Sequence, residues 1–282
     1  MDSDLIGNES YLTILCLHGH PGMGDSMSVF VEYLTSRGFN VIAPDLRGYG
    51  KFRVDRAFSM SQHLDDLEKL LVDRGVDRCL ILGWSLGGIL AIELALRIPE
   101  KIVGLILIAT AARPRSSHPP SPWWESVNTV LAVMFYRLFP SLKIHLWFGH
   151  RSLLQYLIQQ HTDFAYRQVA ELGTRAFLHT SKFATQALSS ALRQGYDRRQ
   201  DLAQIEIPCL VIAGEFDRHI TANSSQETAE LLSNSTWICY PSTAHLLPWE
   251  IPDRMLSDIA IWLSQHDFIP TPSQTIQDSS EK

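Results

Sequence analysis

The feature that most constrains this chain is a series of short β-branched or leucine-rich runs at residues 11–17, 40–43, 79–83, 105–109, 209–213 and 237–240. Most of these runs are apolar at successive positions, not alternate ones, the pattern of strands buried on both faces. Segments of helical periodicity lie between most of them. That order implies βαβ units and an α/β fold, a mostly parallel sheet flanked by helices. With 282 residues, 45% of them hydrophobic, one α/β domain carrying an insertion is expected in preference to two independent domains.

Two helices are specified locally. Ser59 followed by Gln62 reads as a capping box, after which Leu64, Leu67, Leu70 and Leu71 make one apolar face. A second helix is predicted to start just after Ser85, to carry Ile89, Ile92 and Leu96 inward, and to stop before Pro99. From residue 113 to 204 the pattern changes to helical segments rich in aromatics, among them Trp123, Trp124, Phe135, Tyr136, Trp147 and Phe148. This is the expected helical cap, entered through the proline-rich stretch 114–122 and left at Ile207-Pro208, so that residues 1–112 and 205–266 form the core. Residues 267–282 are polar and aperiodic and are expected to be a disordered tail.

The chemistry concentrates in Gly83-Trp84-Ser85-Leu86-Gly87, a G-x-S-x-G segment that follows an apolar run and opens a helix. In that setting the turn presents the serine hydroxyl at a helix N-terminus, where free N–H groups favour a developing negative charge. A serine hydroxyl needs a base to take its proton, and His245, in the loop after the last predicted strand, is the candidate. Asp217, beyond the fifth run in Gly214-Glu215-Phe216-Asp217, can orient and stabilise the imidazole. Glu215 is the rival acid and His219 the rival base. An oxyanion hole requires two backbone donors, expected from Leu86 and from His20 in His18-Gly19-His20-Pro21-Gly22. His18-Gly19-His20 is read as a structural loop in preference to a metal pair, and Asp45-Leu46-Arg47 as a structural turn with local ion pairing. Trp84, Trp123, Trp124 and Leu246 are candidates for contact with an apolar substrate, while cap aromatics also serve the cap's own core. A lipid-surface role for residues 131–135 is the rival use of the cap.

These segments resemble the α/β-hydrolase superfamily over nearly the whole chain outside the tail. Leu82 to Gly88, with His18-Gly19, Asp45-Leu46-Arg47-Gly48-Tyr49-Gly50 and Ala244-His245, is similar to carboxylesterases of the pimeloyl-carrier-protein methyl esterase type. The same motifs also resemble carbon–carbon bond hydrolases, lactonases and cofactor-free haloperoxidases. The resemblance implies hydrolysis of a carboxylic ester or thioester with an apolar moiety through an acyl-serine, with no metal or organic cofactor. A carbon–carbon bond hydrolase with the same three residues, or a receptor that kept the fold with little turnover, are the alternatives. Three positions depart from the family pattern: the β-hairpin usually found before the first strand has only about ten residues to form in, Lys51 stands where serine is common, and Ile89 stands where menaquinone-pathway relatives carry arginine.

Charge and cysteine usage exclude other classes. A net charge of −6 without a long basic run argues against nucleic acid, and against an anionic membrane surface, as partner. Cys16, Cys79, Cys209 and Cys239 each lie in an apolar run and read as small buried hydrophobes, which with a polar, acidic start predicts a cytoplasmic protein without disulfides. No apolar stretch is long enough to cross a bilayer, and oligomeric state is left open.

Overall fold

A computed structural model describes residues 12–269. The expectations for the residues before 12, and for the tail from 270 onward, lie outside the described residues. Six parallel strands form one sheet in the order β2-β1-β3-β4-β5-β6: β1 (Thr13–Leu17), β2 (Asn40–Ile42), β3 (Cys79–Trp84), β4 (Ile102–Ile108), β5 (Cys209–Gly214) and β6 (Ser235–Tyr240). The strands overlap the six runs, and the four inner ones, β1, β3, β4 and β5, are buried at nearly every position, because a parallel sheet covered on both faces needs apolar side chains there.

Helices α1 (Ser28–Thr35), α2 (Ser61–Asp73) and α3 (Leu86–Arg97) lie between β1 and β4. Between β4 and β5 come α4 (Trp123–Leu138), α5 (Ile144–Gly149), α6 (Asp163–Gln168), α7 (Thr174–Leu178) and α8 (Lys182–Arg193), with a π turn joining α6 to α7. Then α9 (Ala222–Leu231) connects β5 to β6, and α10 (Leu247–Glu250) and α11 (Pro252–Gln265) follow.

Successive strand residues point to opposite faces, so the sheet divides the apolar interior in two. Ile14, Leu80, Leu82, Ile106 and Ile212 pack on one side with Phe30 of α1, and with Ile259 and Trp262 of α11. Leu15, Ile81, Leu105 and Val211 pack on the other with Leu67 and Leu71 of α2, and with Leu90 and Leu94 of α3. The α2 cap is half of the predicted box: the Ser59 N–H donates to Gln62 Oε1 at 3.0 Å, while the Ser59 hydroxyl turns to that of Ser61.

Two expectations are corrected by packing. Cys239 is exposed where the other three cysteines are buried, because β6 is the last strand of the sheet and leaves most of its positions only partly covered. Phe268, placed at the start of the polar tail, packs against Trp262 and closes over Gly104.

Candidate active site

The strand-turn-helix around Ser85 has the geometry its sequence demands. Ser85 sits at φ 55° and ψ −114°, a conformation that L-residues rarely hold, and its backbone is pinned on both sides. Its N–H donates to Ile108 O at 2.9 Å, and its carbonyl accepts from Thr110 Oγ1 at 2.8 Å. The turn closes only because glycine stands at both ends of it. A Cβ on Gly83 would lie 2.4 Å from Gly87 O, and one on Gly87 would lie 2.0 Å from Leu17 O.

Ser85 Oγ meets His245 Nε2 at 3.1 Å, and His245 Nδ1 meets Asp217 Oδ2 at 2.7 Å. All three residues are buried, at 4%, 5% and 3% exposure. The second carboxylate oxygen of Asp217 is committed: Oδ1 accepts the N–H groups of His219 at 2.8 Å and Ile220 at 2.9 Å. With Oδ2 acting only as an acceptor, Nδ1 carries the ring proton and Nε2 is left to accept from the serine hydroxyl. The arrangement can move a proton from serine to imidazole and hold the resulting cation against a carboxylate.

Neither rival takes a place in the relay. Glu215 is exposed and accepts the Ser242 N–H at 3.1 Å. His219 is exposed at the surface, its ring 4.7 Å from that of His245, and its backbone is what the Asp217 carboxylate binds.

The loop after β1 passes against Ser85, with the Cβ position of Gly19 3.1 Å from Ser85 Cβ. This brings the next residue, His20, into the neighbourhood expected of a second donor. Leu86 is the first residue of α3, where an N–H has no partner within the helix. His18 is fully buried: its Nδ1–H donates to Gly19 O at 2.8 Å and its Nε2 accepts from Leu46 N–H at 3.1 Å. Both nitrogens are thus spent, Nδ1 within the loop after β1 and Nε2 in joining it to the loop after β2. Burial pulls the pKa values of His18 and His20 down to about 4, so both rings are neutral near pH 7. Arg47 is held by a bidentate pair with Asp66 of α2, and the Asp45 carboxylate accepts the N–H groups of Gly24 and Lys51 at 2.7 Å each.

Of the expected substrate contacts, Leu246 is partly buried and donates its N–H to Leu157 O of the insertion at 2.9 Å. Trp84 is instead a core residue. Its ring packs edge-on to Trp249 at 5.2 Å and its indole N–H donates to His245 O at 3.2 Å, because the side chain of the residue before Ser85 turns into the sheet. Trp123 and Trp124 pack on each other and are 75% and 53% exposed, since α4 turns Glu125 and Ala132 inward and leaves the tryptophans outside.

Sequence reading missed Glu250. Only 4% exposed, it accepts Ala244 N–H at 2.8 Å through Oε1, and Gln159 and Gln160 N–H at 2.8 and 2.7 Å through Oε2. Burial raises its pKa while the three backbone donors pull it down. It ties the residue before His245 to the insertion, and no spacing rule foretells that a glutamate five residues past a histidine will turn back onto it. On the other side, Thr221 N–H donates to Arg115 O at 2.9 Å and Ser117 N–H to Arg218 O at 3.0 Å. The proline-rich stretch is thereby stitched to the loop that carries Asp217.

A covered parallel sheet, a strained serine between β3 and α3, and histidine and carboxylate on later loops together define an α/β hydrolase. A family model described as serine aminopeptidase, S33, matches residues 9–252, and the chain belongs to that family. Among curated proteins it is similar to the pimeloyl-acyl-carrier-protein methyl ester esterase of Nitrosomonas europaea, at 28% identity over 250 residues, covering 86% of this chain and 92% of that one. It is 27% identical over 223 residues to the biotin biosynthesis bifunctional protein BioHC of Cellvibrio japonicus, covering 76% of this chain but 40% of that longer protein. Among solved structures, an esterase from Thermogutta terrifontis has a TM-score of 0.68 at 23% identity, covering 93% of this chain and 92% of that one. A 2-hydroxy-6-oxo-6-phenylhexa-2,4-dienoate hydrolase from Rhodococcus sp. also gives 0.68, at 18% identity, covering 90% and 91%. At these identities the two structures share the fold alone.

Proposed function

We propose that this hydrolase cleaves a carboxylic ester or thioester with an apolar moiety, in the cytoplasm, through an acyl-serine intermediate. The observation that carries the reading is the buried relay from Ser85 Oγ to His245 Nε2 at 3.1 Å and from His245 Nδ1 to Asp217 Oδ2 at 2.7 Å. His245 takes the serine proton as Oγ attacks the acyl carbon, and Asp217 stabilises the imidazolium. The oxyanion is held by the N–H groups of Leu86 and His20, each donor lowering the barrier by about 3 kcal/mol. His245 then protonates the leaving alcohol or thiol. In the second half-reaction it draws a proton from water, which attacks the acyl carbon, and returns that proton to Ser85 Oγ as the acyl–oxygen bond breaks, releasing the acid and free Ser85.

Preference for an ester follows the relatives named as methyl ester esterases. The residues from 113 to 204 act as a cap over the site, anchored by Leu246, Glu250 and the 115–117 stretch. The reading is tested on a p-nitrophenyl ester series from acetate to dodecanoate, wild type against Ser85→Ala. A loss of about 10⁴-fold or more in kcat/KM establishes the nucleophile, and the preferred chain length sizes the acyl pocket. Equal, slow hydrolysis of every ester by both proteins would sink the esterase reading in favour of a carbon–carbon bond hydrolase or a ligand-binding receptor.

A further inference from the structure

The outer face of α4 is the reverse of what a helix at a protein surface ordinarily shows. Trp123, Val127, Val130, Met134 and Leu138 recur at helical spacing along one face, and they are 75%, 45%, 67%, 39% and 61% exposed. A solvent-facing stripe is normally polar, yet no charged residue interrupts this one. The polar members of the helix are turned elsewhere: Glu125 points inward to the Tyr156 hydroxyl and the Gln155 amide at 2.8 and 2.9 Å. Alongside, α5 adds exposed Ile144 and Trp147, and Phe148 of α5 stacks on Phe135 of α4 at 5.2 Å. Exposed apolar side chains gathered on two packed helices are the feature that marks a binding face.

The charges around it say what it binds. In residues 123–151 the only carboxylate is the buried Glu125, whereas Arg137, Lys143 and Arg151 are all exposed. Arg137 flanks the stripe and donates to Ala170 O, and Arg151 lies over the Trp147 ring at 4.3 Å. In a chain whose net charge is −6, this segment is locally basic. A second copy of the same face would set these cations against one another, which disfavours self-association. An apolar stripe edged by tryptophans and cations, on a helix lying flat on the surface, suits an interface of acyl chains beneath anionic headgroups.

We propose that α4 and α5 form a peripheral docking surface for an anionic phospholipid bilayer, with Val130, Met134 and Leu138 entering the acyl boundary and Arg137, Lys143 and Arg151 at the headgroups. The inference does not rest on the esterase reading, because it is read by partitioning and not by turnover. The full chain is sedimented with vesicles of phosphatidylcholine mixed with phosphatidylglycerol, and with vesicles of phosphatidylcholine alone. Wild type is expected to bind the mixed vesicles at least about tenfold more tightly than the neutral ones. Val130→Glu combined with Met134→Glu, and separately Lys143→Glu combined with Arg151→Glu, are each expected to lower that binding by about tenfold or more. Far-UV circular dichroism and urea midpoints establish that the variants are folded, which exposed positions allow. Wild type left in the supernatant with mixed vesicles overturns the proposal, as does unchanged binding by the Val130/Met134 variant. A wild-type dimer that this variant converts to monomer, with no vesicle binding by either, overturns it in favour of a second copy.

Discussion

Replacing Asp217 by asparagine changes one atom of the carboxylate and should nearly abolish turnover. Two backbone donors, the N–H groups of His219 and Ile220, converge on Oδ1 at 2.8 and 2.9 Å. An asparagine must keep its oxygen there, since the flipped amide would set N–H against N–H. Its NH₂ then takes the place of Oδ2, 2.7 Å from His245 Nδ1. An amide NH₂ only donates. Nδ1 must therefore accept, the ring proton moves to Nε2, and Nε2 donates to Ser85 Oγ across 3.1 Å where it ought to accept. In a serine-histidine-aspartate relay the wrong tautomer costs about 10⁴-fold in kcat, or about 5.4 kcal/mol of barrier. The assay is kcat on the preferred p-nitrophenyl ester, with urea unfolding alongside to establish that the fold is intact. Glu215→Gln, which touches only the Ser242 N–H, is the control and should stay within about threefold of wild type. An Asp217→Asn enzyme within tenfold of wild type, or a large loss in Glu215→Gln, would refute the assignment of the orienting acid.

Two further substitutions probe the surroundings. Glu250→Ala orphans the buried backbone donor of Ala244 and the part-buried ones of Gln159 and Gln160, and is expected to lower unfolding free energy by about 2 kcal/mol and to reduce kcat through the loosened His245 loop, measured by urea titration and ester hydrolysis. His63 is buried with both ring nitrogens unpartnered, and burial, followed by the nearby His18 and Arg47, lowers its pKa from 6.5 to about 3. The neutral ring is therefore the form the fold accepts: stability is intact above pH 6.5 and is lost as pH falls toward the folded value, because the unfolded chain takes up a proton that the native state refuses. His63→Leu should flatten the decline of unfolding free energy below pH 6.5 by about 1.4 kcal/mol per pH unit. An unchanged slope would mean that His63 titrates normally in the native state.

The sequence by itself determined the sheet and the strand ends from which the candidate catalytic residues come. Most of the six runs are apolar at successive positions and leave no solvent-facing side for a strand, so a covered parallel sheet was the outcome available to them. Ser85, Asp217 and His245 were legible because each lies just past the C-terminal end of a predicted strand, where parallel strands gather their loops at one edge. What the tertiary structure decided was the direction of individual side chains and the pairing of distant segments. Trp84 and Trp123 are both tryptophans beside motifs of interest, yet one lies in the core holding His245 O and the other in solvent on the outer face of α4. Trp84 is buried at the end of β3 within the sheet's core, whereas the phase of α4, fixed by Ala132 and Glu125 packing inward, leaves Trp123 outside. Glu250 is the extreme case. A lone glutamate in Leu247–Glu250 carries no local signal, and its role exists only because α10 returns the carboxylate onto Ala244 while the insertion brings Gln159 and Gln160 within 2.8 Å of it. Apolar periodicity is a local property of the chain, whereas hydrogen bonds between residues some ninety positions apart are satisfied only once the fold has closed around them.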